Sequence, residues 1–155
     1  MRNFLAGFLS CVALIIAVGA LARSLAGETW FVSTVASYHY NTDKKYEQQN
    51  WGFGIEQKLA DNFAVIAGGY RNSNRRDSMY FGAAWAPVQI YGPLRLGVAA
   101  MMVGGYETPK NTEVLKAAFP FLTAEYKGFG FNIPIIPPVS GTTPGVIGLQ
   151  FKVRW

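Results

Sequence analysis

After Gly27 the chain alternates between apolar and polar or small residues, and clusters of Gly, Pro, Asn and Asp break the alternation at strand-length intervals. No heptad and no helical stripe interrupts it. The last segment is the clearest case. Ile147, Leu149, Phe151, Val153 and Trp155 are apolar, while Gly148, Gln150, Lys152 and Arg154 between them are small or polar. In water such a strand would turn its apolar face to a sandwich core. In a membrane barrel that face meets lipid and the polar face meets the lumen. Eight strands can be drawn, at about 29–40, 47–59, 62–72, 78–88, 93–105, 113–126, 128–137 and 145–155. Most have the length a tilted membrane strand requires, and an even number closes the sheet without a free edge. The pattern predicts an all-β fold, an eight-stranded antiparallel transmembrane β-barrel.

The predicted turns alternate in kind. Ala60-Asp61, Pro87 to Gly92 and Lys127-Gly128 are mostly tight, whereas 41–46, 73–77, 106–112 and 138–144 are longer and more polar. Short turns belong to the periplasmic end of such barrels and long loops to the outside. Aromatic residues make up 15% of the chain. Trp30, Tyr40, Trp51, Tyr70, Trp85, Tyr91, Tyr106, Tyr126 and Trp155 fall near strand ends, where interfacial girdles are expected.

The segment before the barrel has a different composition. Arg2 precedes an apolar run from Phe4 to Leu21, and Ala20-Leu21-Ala22 and Ser24-Leu25-Ala26 are small-residue cleavage signals. Residues 1–26 read as a signal peptide, which leaves 27–155 as one barrel domain and implies a bacterial outer-membrane location. The alternative is a retained transmembrane helix. Cys11 is the only cysteine and lies in this leader, so the mature chain has neither a disulfide framework nor a thiolate metal site. A single histidine, His39, excludes a multi-histidine metal site. No metal and no cofactor is expected. Of 14 basic residues Arg2 and Arg23 leave with the leader, so 12 face 9 acidic ones. This mild excess is far from that of a nucleic-acid binder, and no nucleic-acid partner is expected. A closed barrel of this size can be monomeric.

Phasing the strands places Glu56, Lys58, Arg95, Glu125, Gln150 and Lys152 in the lumen near the short-turn end, where ionised groups must pair. Farther out, the same faces carry Gly52, Gly54, Gly97, Ala99, Met101, Phe119, Phe121 and Gly148. The expectation is a polar floor below an apolar cavity. The competing expectation is a lumen just wide enough for its own side chains. A hairpin turning at Lys127-Gly128 sets Pro120 opposite Ile135, with Pro134 beside it and Pro137 just beyond. Prolines facing one another interrupt the ladder, which would leave either a lateral gate for lipid or a local bulge.

These residues resemble the lipid A palmitoyltransferase (PagP) family over roughly Tyr46 to Trp155. Tyr46-Glu47-Gln48-Gln49-Asn50-Trp51-Gly52-Phe53-Gly54 is similar to the family's Y-N-E-R-P-W-G-G-G. The stretch from Pro120 through Tyr126, Phe131 and Ile136-Pro137 is similar to its P-L-A-S-V-G-Y and F-Q-M-T-Y-I-P. The resemblance implies a barrel that moves an acyl chain from phospholipid to lipid A. Pro120 and Pro137 match the prolines flanking its phospholipid entrance, and Ala84 the floor of its acyl pocket. Gly52, Gly54, Met101 and Phe121 complete a lipid-binding set.

The departures bear on the chemistry. The family uses a histidine after the first strand and an Asp-Ser pair after the third. Here Asn72 and Ser73 stand at the pair, and an amide cannot act as a base. The proline before Trp51 is replaced by Asn50, and Trp30 leaves no room for an N-terminal amphipathic helix. Asp77-Ser78 matches the pair only with a gap. The candidate catalytic residues are therefore His39, Ser73 and Asn72. His39 is the side chain suited to base work near neutral pH, and Ser73 could attack or stabilise an oxyanion. Each also has a plainer reading, as a loop-edge or turn residue. Lys44, Lys45, Arg71, Arg75, Arg76 and Lys110 lie in the outer loops, where they would form either a basic rim suited to phosphates or, with Asp43, Glu47, Asp77 and Glu107 among them, an ordinary solvated loop face. Two functions remain open: an acyltransferase, or a non-catalytic structural, adhesive or lipid-binding barrel. A soluble barrel for an apolar ligand is the weaker third.

Overall fold

The computed structural model describes residues 27–106, 114–139 and 144–155. The expected leader, Glu107 and Lys110 lie outside the described residues. The described chain forms β1 (Thr29–Tyr40), β2 (Gln49–Ala60), β3 (Phe63–Arg71), β4 (Asp77–Tyr91), β5 (Leu94–Gly104), β6 (Val114–Tyr126), β7 (Phe129–Ile136) and β8 (Gly145–Arg154). Each strand pairs antiparallel with the next, and β1 pairs with β8 to close the barrel.

Alternation sorts side chains between two environments. Phe53, Phe81, Trp85, Val98, Phe151 and Val153 point outward and are exposed, while Val32, Ala84, Ala99, Phe121 and Lys152 point inward and are buried. An exposed apolar belt is unfavourable in water, by roughly 25 cal/mol per Å², and is favourable against lipid. The Lys127-Gly128 turn has positive φ at both residues, 48° and 85°. Such a turn matches the twist of a hairpin, and it sets Phe121 opposite Pro134 as the sequence predicts.

Two bulges change the predicted picture. On β1 the register slips between Thr34 and Ala36 against both neighbours. Residues opposite each other share a face. Trp30, Val32 and Thr34 face Arg154, Lys152 and Gln150, whereas Ser37 and His39 beyond the slip face Gly148 and Val146. One extra residue therefore lets both Trp30 and His39 turn inward. Trp30 is 2% exposed, so it belongs to the lumen and not to a girdle. Tyr70 is also corrected, because its hydroxyl lies 3.0 Å from that of Tyr106 inside the outer mouth. Trp51, Trp85, Tyr91, Tyr126 and Trp155 are exposed as expected.

On β4 the register slips between Trp85 and Val88. The predicted turn at Pro87 to Gly92 is instead strand up to Tyr91, and the chain reverses at Gly92-Pro93. Pro87 is tolerated inside the strand because a bulge leaves one residue without a ladder bond to make.

The lumen is filled in layers. At the short-turn end, Lys152 Nζ meets Glu56 at 2.8 Å and Glu125 at 2.6 Å, and Lys58 pairs with Glu125. Asn132 donates to Glu56 at 3.0 Å, and Gln150 donates to Thr34 at 3.1 Å. The two ammonium groups lie 5.3 and 5.8 Å from the Trp30 ring, within cation–π range. Next to this floor Ala84, Ala86, Ala99, Phe119 and Phe121 form an apolar cluster, with Met101 packed against it.

Candidate functional site at the outer mouth

At the long-loop end the expected catalytic residues sit on two loops that touch. His39 ends β1, and its ring stacks on Tyr46 with centroids 4.5 Å apart. Lys44 Nζ lies 4.9 Å from the centre of the Tyr46 ring. The next residue, Glu47, donates its amide to the Ser73 carbonyl at 3.1 Å. The β1–β2 loop thus links His39 to the β3–β4 turn. Among the described residues no hydrogen bond joins His39 to Ser73 or Asn72, and His39 Nδ1 is buried without a partner. The Ser73 hydroxyl is engaged with Tyr106, whose phenol is pushed up by burial.

Asn72 is fully buried, and its amide group is saturated. It donates to Ser78 Oγ at 2.9 Å and to the Gly105 carbonyl at 3.0 Å. It accepts from the amides of Asn74 at 2.9 Å and Arg76 at 3.0 Å. A group with both donors and both acceptor directions spent holds a turn in place and has none left for a reacting atom. Ser78, the gapped alternative, is buried and accepts from Asn72, while Asp77 stays exposed. Asn50 is a second buried clamp. It accepts from Ser37 Oγ and donates to the Arg71 carbonyl at 3.0 Å. The proline at this position in the resembling family could not do either.

The lipid-binding set separates into three places. Gly52 and Gly54 face the lumen, but the space above them is taken. A Cβ at Gly54 would collide with the Tyr80 hydroxyl, and one at Gly68, opposite Gly54, would lie 2.6 Å from it. Tyr70 and Tyr80 lie with ring centroids 5.9 Å apart and close this part of the lumen. The expectation of an open apolar cavity here is corrected: the glycines make room for tyrosines. Ala84 and Phe121 border a cavity of about 40 Å³ that is also lined by charged floor residues and by small or apolar ones such as Phe63, Ala86 and Pro93, and Met101 packs over Gly82. Typical ligand pockets are about 300–1,000 Å³. Pro120 and Pro137 are exposed on the outside of the barrel.

The ladder between β6 and β7 runs from Tyr126↔Phe129 only as far as Phe121↔Pro134. On its other side β6 stays paired with β5 from Ala124 to Val114. Pairing therefore lapses where the prolines face each other, as the hairpin register predicts.

The basic rim is partly neutralised. Arg75 Nε lies 3.2 Å from Glu47, and Arg71, Arg75, Arg76, Asp77 and Gly105 surround an open bowl of about 380 Å³. Amides of Gln49 and Gln48, together with Arg75, hold the Glu47 carboxyl below its ordinary value. Among the described residues no three His, Cys, Asp or Glu side chains gather as metal ligands. Tyr80 and Asn132 were not singled out in the sequence, and Asn50 only as the replacement of a proline. The usable signal was the pair of facing glycines, Gly54 and Gly68, which in a packed lumen requires a bulky neighbour.

No protein-family model matches the sequence, and no curated protein matches it. Solved structures do. The barrel is similar to the de novo designed protein TMB2.3, solved by solution NMR, with a TM-score of 0.57 and 15% identity over 83% of this chain and 94% of that one. It is also similar to the Yersinia pestis outer membrane protein Ail in a phospholipid bilayer nanodisc, with a TM-score of 0.50 and 13% identity over 83% of this chain and 99% of Ail. The likeness is one of fold: the chain is an eight-stranded antiparallel barrel of the transmembrane type.

Proposed function

We propose that the protein is a non-catalytic, lipid-binding structural barrel of the bacterial outer membrane, exported by the leader read in residues 1–26. One observation carries this reading. Among the described residues, an ion-paired floor and a pair of tyrosines at the mouth occupy the two ends of the lumen, and the cavity at the floor, about 40 Å³, is far smaller than an acyl chain needs. With its interior spent on packing, the barrel acts through its outer surface. Phospholipid and lipid A solvate its apolar belt, and the basic rim meets the phosphates of lipopolysaccharide. The saturated amide of Asn72 supports the same reading, since it replaces the carboxylate the resembling acyltransferases use.

A second reading, acyl transfer from phospholipid to lipid A, is favoured by the lapse of pairing beside Pro120 and Pro137 and by the unpartnered Nδ1 of His39. Mass spectrometry of lipid A from cells expressing the chain, beside His39→Ala, separates the two. The expected result is an unchanged lipid A profile for both, with the protein folded in the outer membrane. One added acyl chain in the wild type, absent from the variant, would overturn the non-catalytic reading.

A further inference from the structure

The arginine bowl at the outer mouth belongs to one wall of the barrel. Arg71 pairs with Asp77 at the outer end of the β3–β4 ladder. Going down the strands in steps of two, the same face carries Gly69 with Met79 and then Ala67 with Phe81. Met79 and Phe81 are exposed members of the apolar belt. Arg71 and Asp77 therefore crown the lipid-facing wall and do not point into the lumen.

Hydrogen bonds fix the turn that carries the other two arginines. Arg75 has a φ of 63° and donates its amide to the Asn72 carbonyl at 2.9 Å, while Asn72 donates its own amide to the Arg76 carbonyl at 2.7 Å. The Asn72 side chain ties this turn to the end of β5 through the Gly105 carbonyl. Arg71, Arg75 and Arg76 are exposed and surround the bowl with Asp77 and Gly105. Three guanidiniums face the carboxylates of Asp77 and Glu47, so the cluster stays cationic. Its volume, about 380 Å³, is within the range of ligand sites, and the planar fork of an arginine matches a phosphate through two bonds.

The wall below the bowl is apolar. Phe81 pairs with Met102, Ala83 with Ala100 and Trp85 with Val98, so a low row of alanines runs between two rows of large exposed side chains. A ligand that satisfies both parts carries a phosphate at one end and an apolar tail at the other.

We propose that the bowl seats the phosphate of an outer-leaflet lipid whose acyl chains run down the outside of β3, β4 and β5, over Met79, Phe81 and Met102. This rests on the reading of the barrel as a lipid-binding protein of the outer membrane. It gives that binding an address on the β3–β5 wall, away from the lapsed β6–β7 ladder, and makes Asn72 the residue that positions the arginines.

The test uses the full-length mature protein folded in detergent micelles, with bound lipid read by native mass spectrometry. The probes are diphosphoryl lipid A, the same lipid with its phosphates removed, phosphatidylethanolamine and inorganic phosphate. Lipid A should be retained at concentrations about tenfold or more below those its stripped form needs. Replacing Arg71→Ala and Arg76→Ala together should raise the half-saturating concentration of lipid A about tenfold or more, from the loss of charge-assisted bonds. Met79→Ser should weaken lipid A binding less, and Arg154→Ala, at the short-turn end, should leave it unchanged. Equal retention of the two forms of lipid A, or no effect of the double arginine change, would overturn this site and leave the barrel a lipid binder. Retention of none of the lipids would overturn both. Displacement of lipid A by inorganic phosphate at equal concentration would make the bowl a site for free phosphate, and a dimer in place of the lipid adduct, lost in Phe81→Ser, would give the wall to a second copy; either result overturns the lipid assignment.

Discussion

The two ends of the lumen solve one packing problem with different chemistry. At the short-turn end, charge is buried and paired: Lys152 is 2% exposed and bridges Glu56 and Glu125. At the long-loop end, the interior is closed by neutral groups. Tyr80 lies over Gly54 and Gly68 with the Tyr70 ring tilted beside it, and the amides of Asn50 and Asn72 tie the turns together. The ions at that end, Arg75 and Glu47, sit in water on the rim. The contrast teaches where energy is at stake. A buried charge network loses a great deal when one member is removed, a neutral clamp loses its hydrogen bonds, and an exposed pair loses little.

Lys152→Met should therefore be the most damaging change. It strands Glu56 and Glu125 with one cation fewer, at a cost of about 3–5 kcal/mol, read as a lower denaturant midpoint for unfolding from lipid vesicles. A loss under about 1 kcal/mol would break the contrast between the two ends. Asn72→Ala should cost about 2 kcal/mol. Because the residue is fully buried yet holds a solvent-facing turn, the change should show first as faster proteolysis within 72–78. Gly54→Ala pushes a methyl group into the Tyr80 hydroxyl and against the Ala67 carbonyl, and overpacking of this kind costs about 1–3 kcal/mol. If it were silent, the mouth would be looser than the packed tyrosine pair implies, and the case against an acyl-sized lumen would weaken.

The smallest effect belongs to the rim. The Glu47 carboxyl is held below its ordinary value, chiefly by the Gln49 amide. Its contribution is present above the unfolded pKa and is lost as pH falls through the folded one, below 4.5. Glu47→Gln should leave the unfolding midpoint at neutral pH unchanged and flatten its acid dependence only slightly. A large shift would mean that the rim carries stability.

Much of this was legible in the sequence. Strand number, the Lys127-Gly128 reversal, the facing prolines and the charged floor all follow from alternation and turn chemistry, which are local. Glu56, Lys58, Glu125 and Lys152 could be placed inside because their spacing keeps phase along unbroken strands. The candidate site was read less fully. His39, Asn72 and Ser73 do gather at one mouth, yet nothing in their residue types showed that Asn72 spends its whole amide on the turn. Its partners Ser78 and Gly105 arrive from other segments.

What the sequence determined by itself is the barrel: a period of two, repeated eight times and punctuated by turns, leaves a closed sheet with an apolar outside as the consistent fold. What only the tertiary structure decided is the phase and the filling. An extra residue between Thr34 and Ala36 turns both Trp30 and His39 inward, and it is placed by the registers of β2 and β8 on either side, not by β1. Whether facing glycines leave a cavity or seat a tyrosine likewise depends on a third strand. Tyr80 comes from β4 to occupy the space that β2 and β3 leave, because a close-packed interior does not keep a void its neighbours can reach.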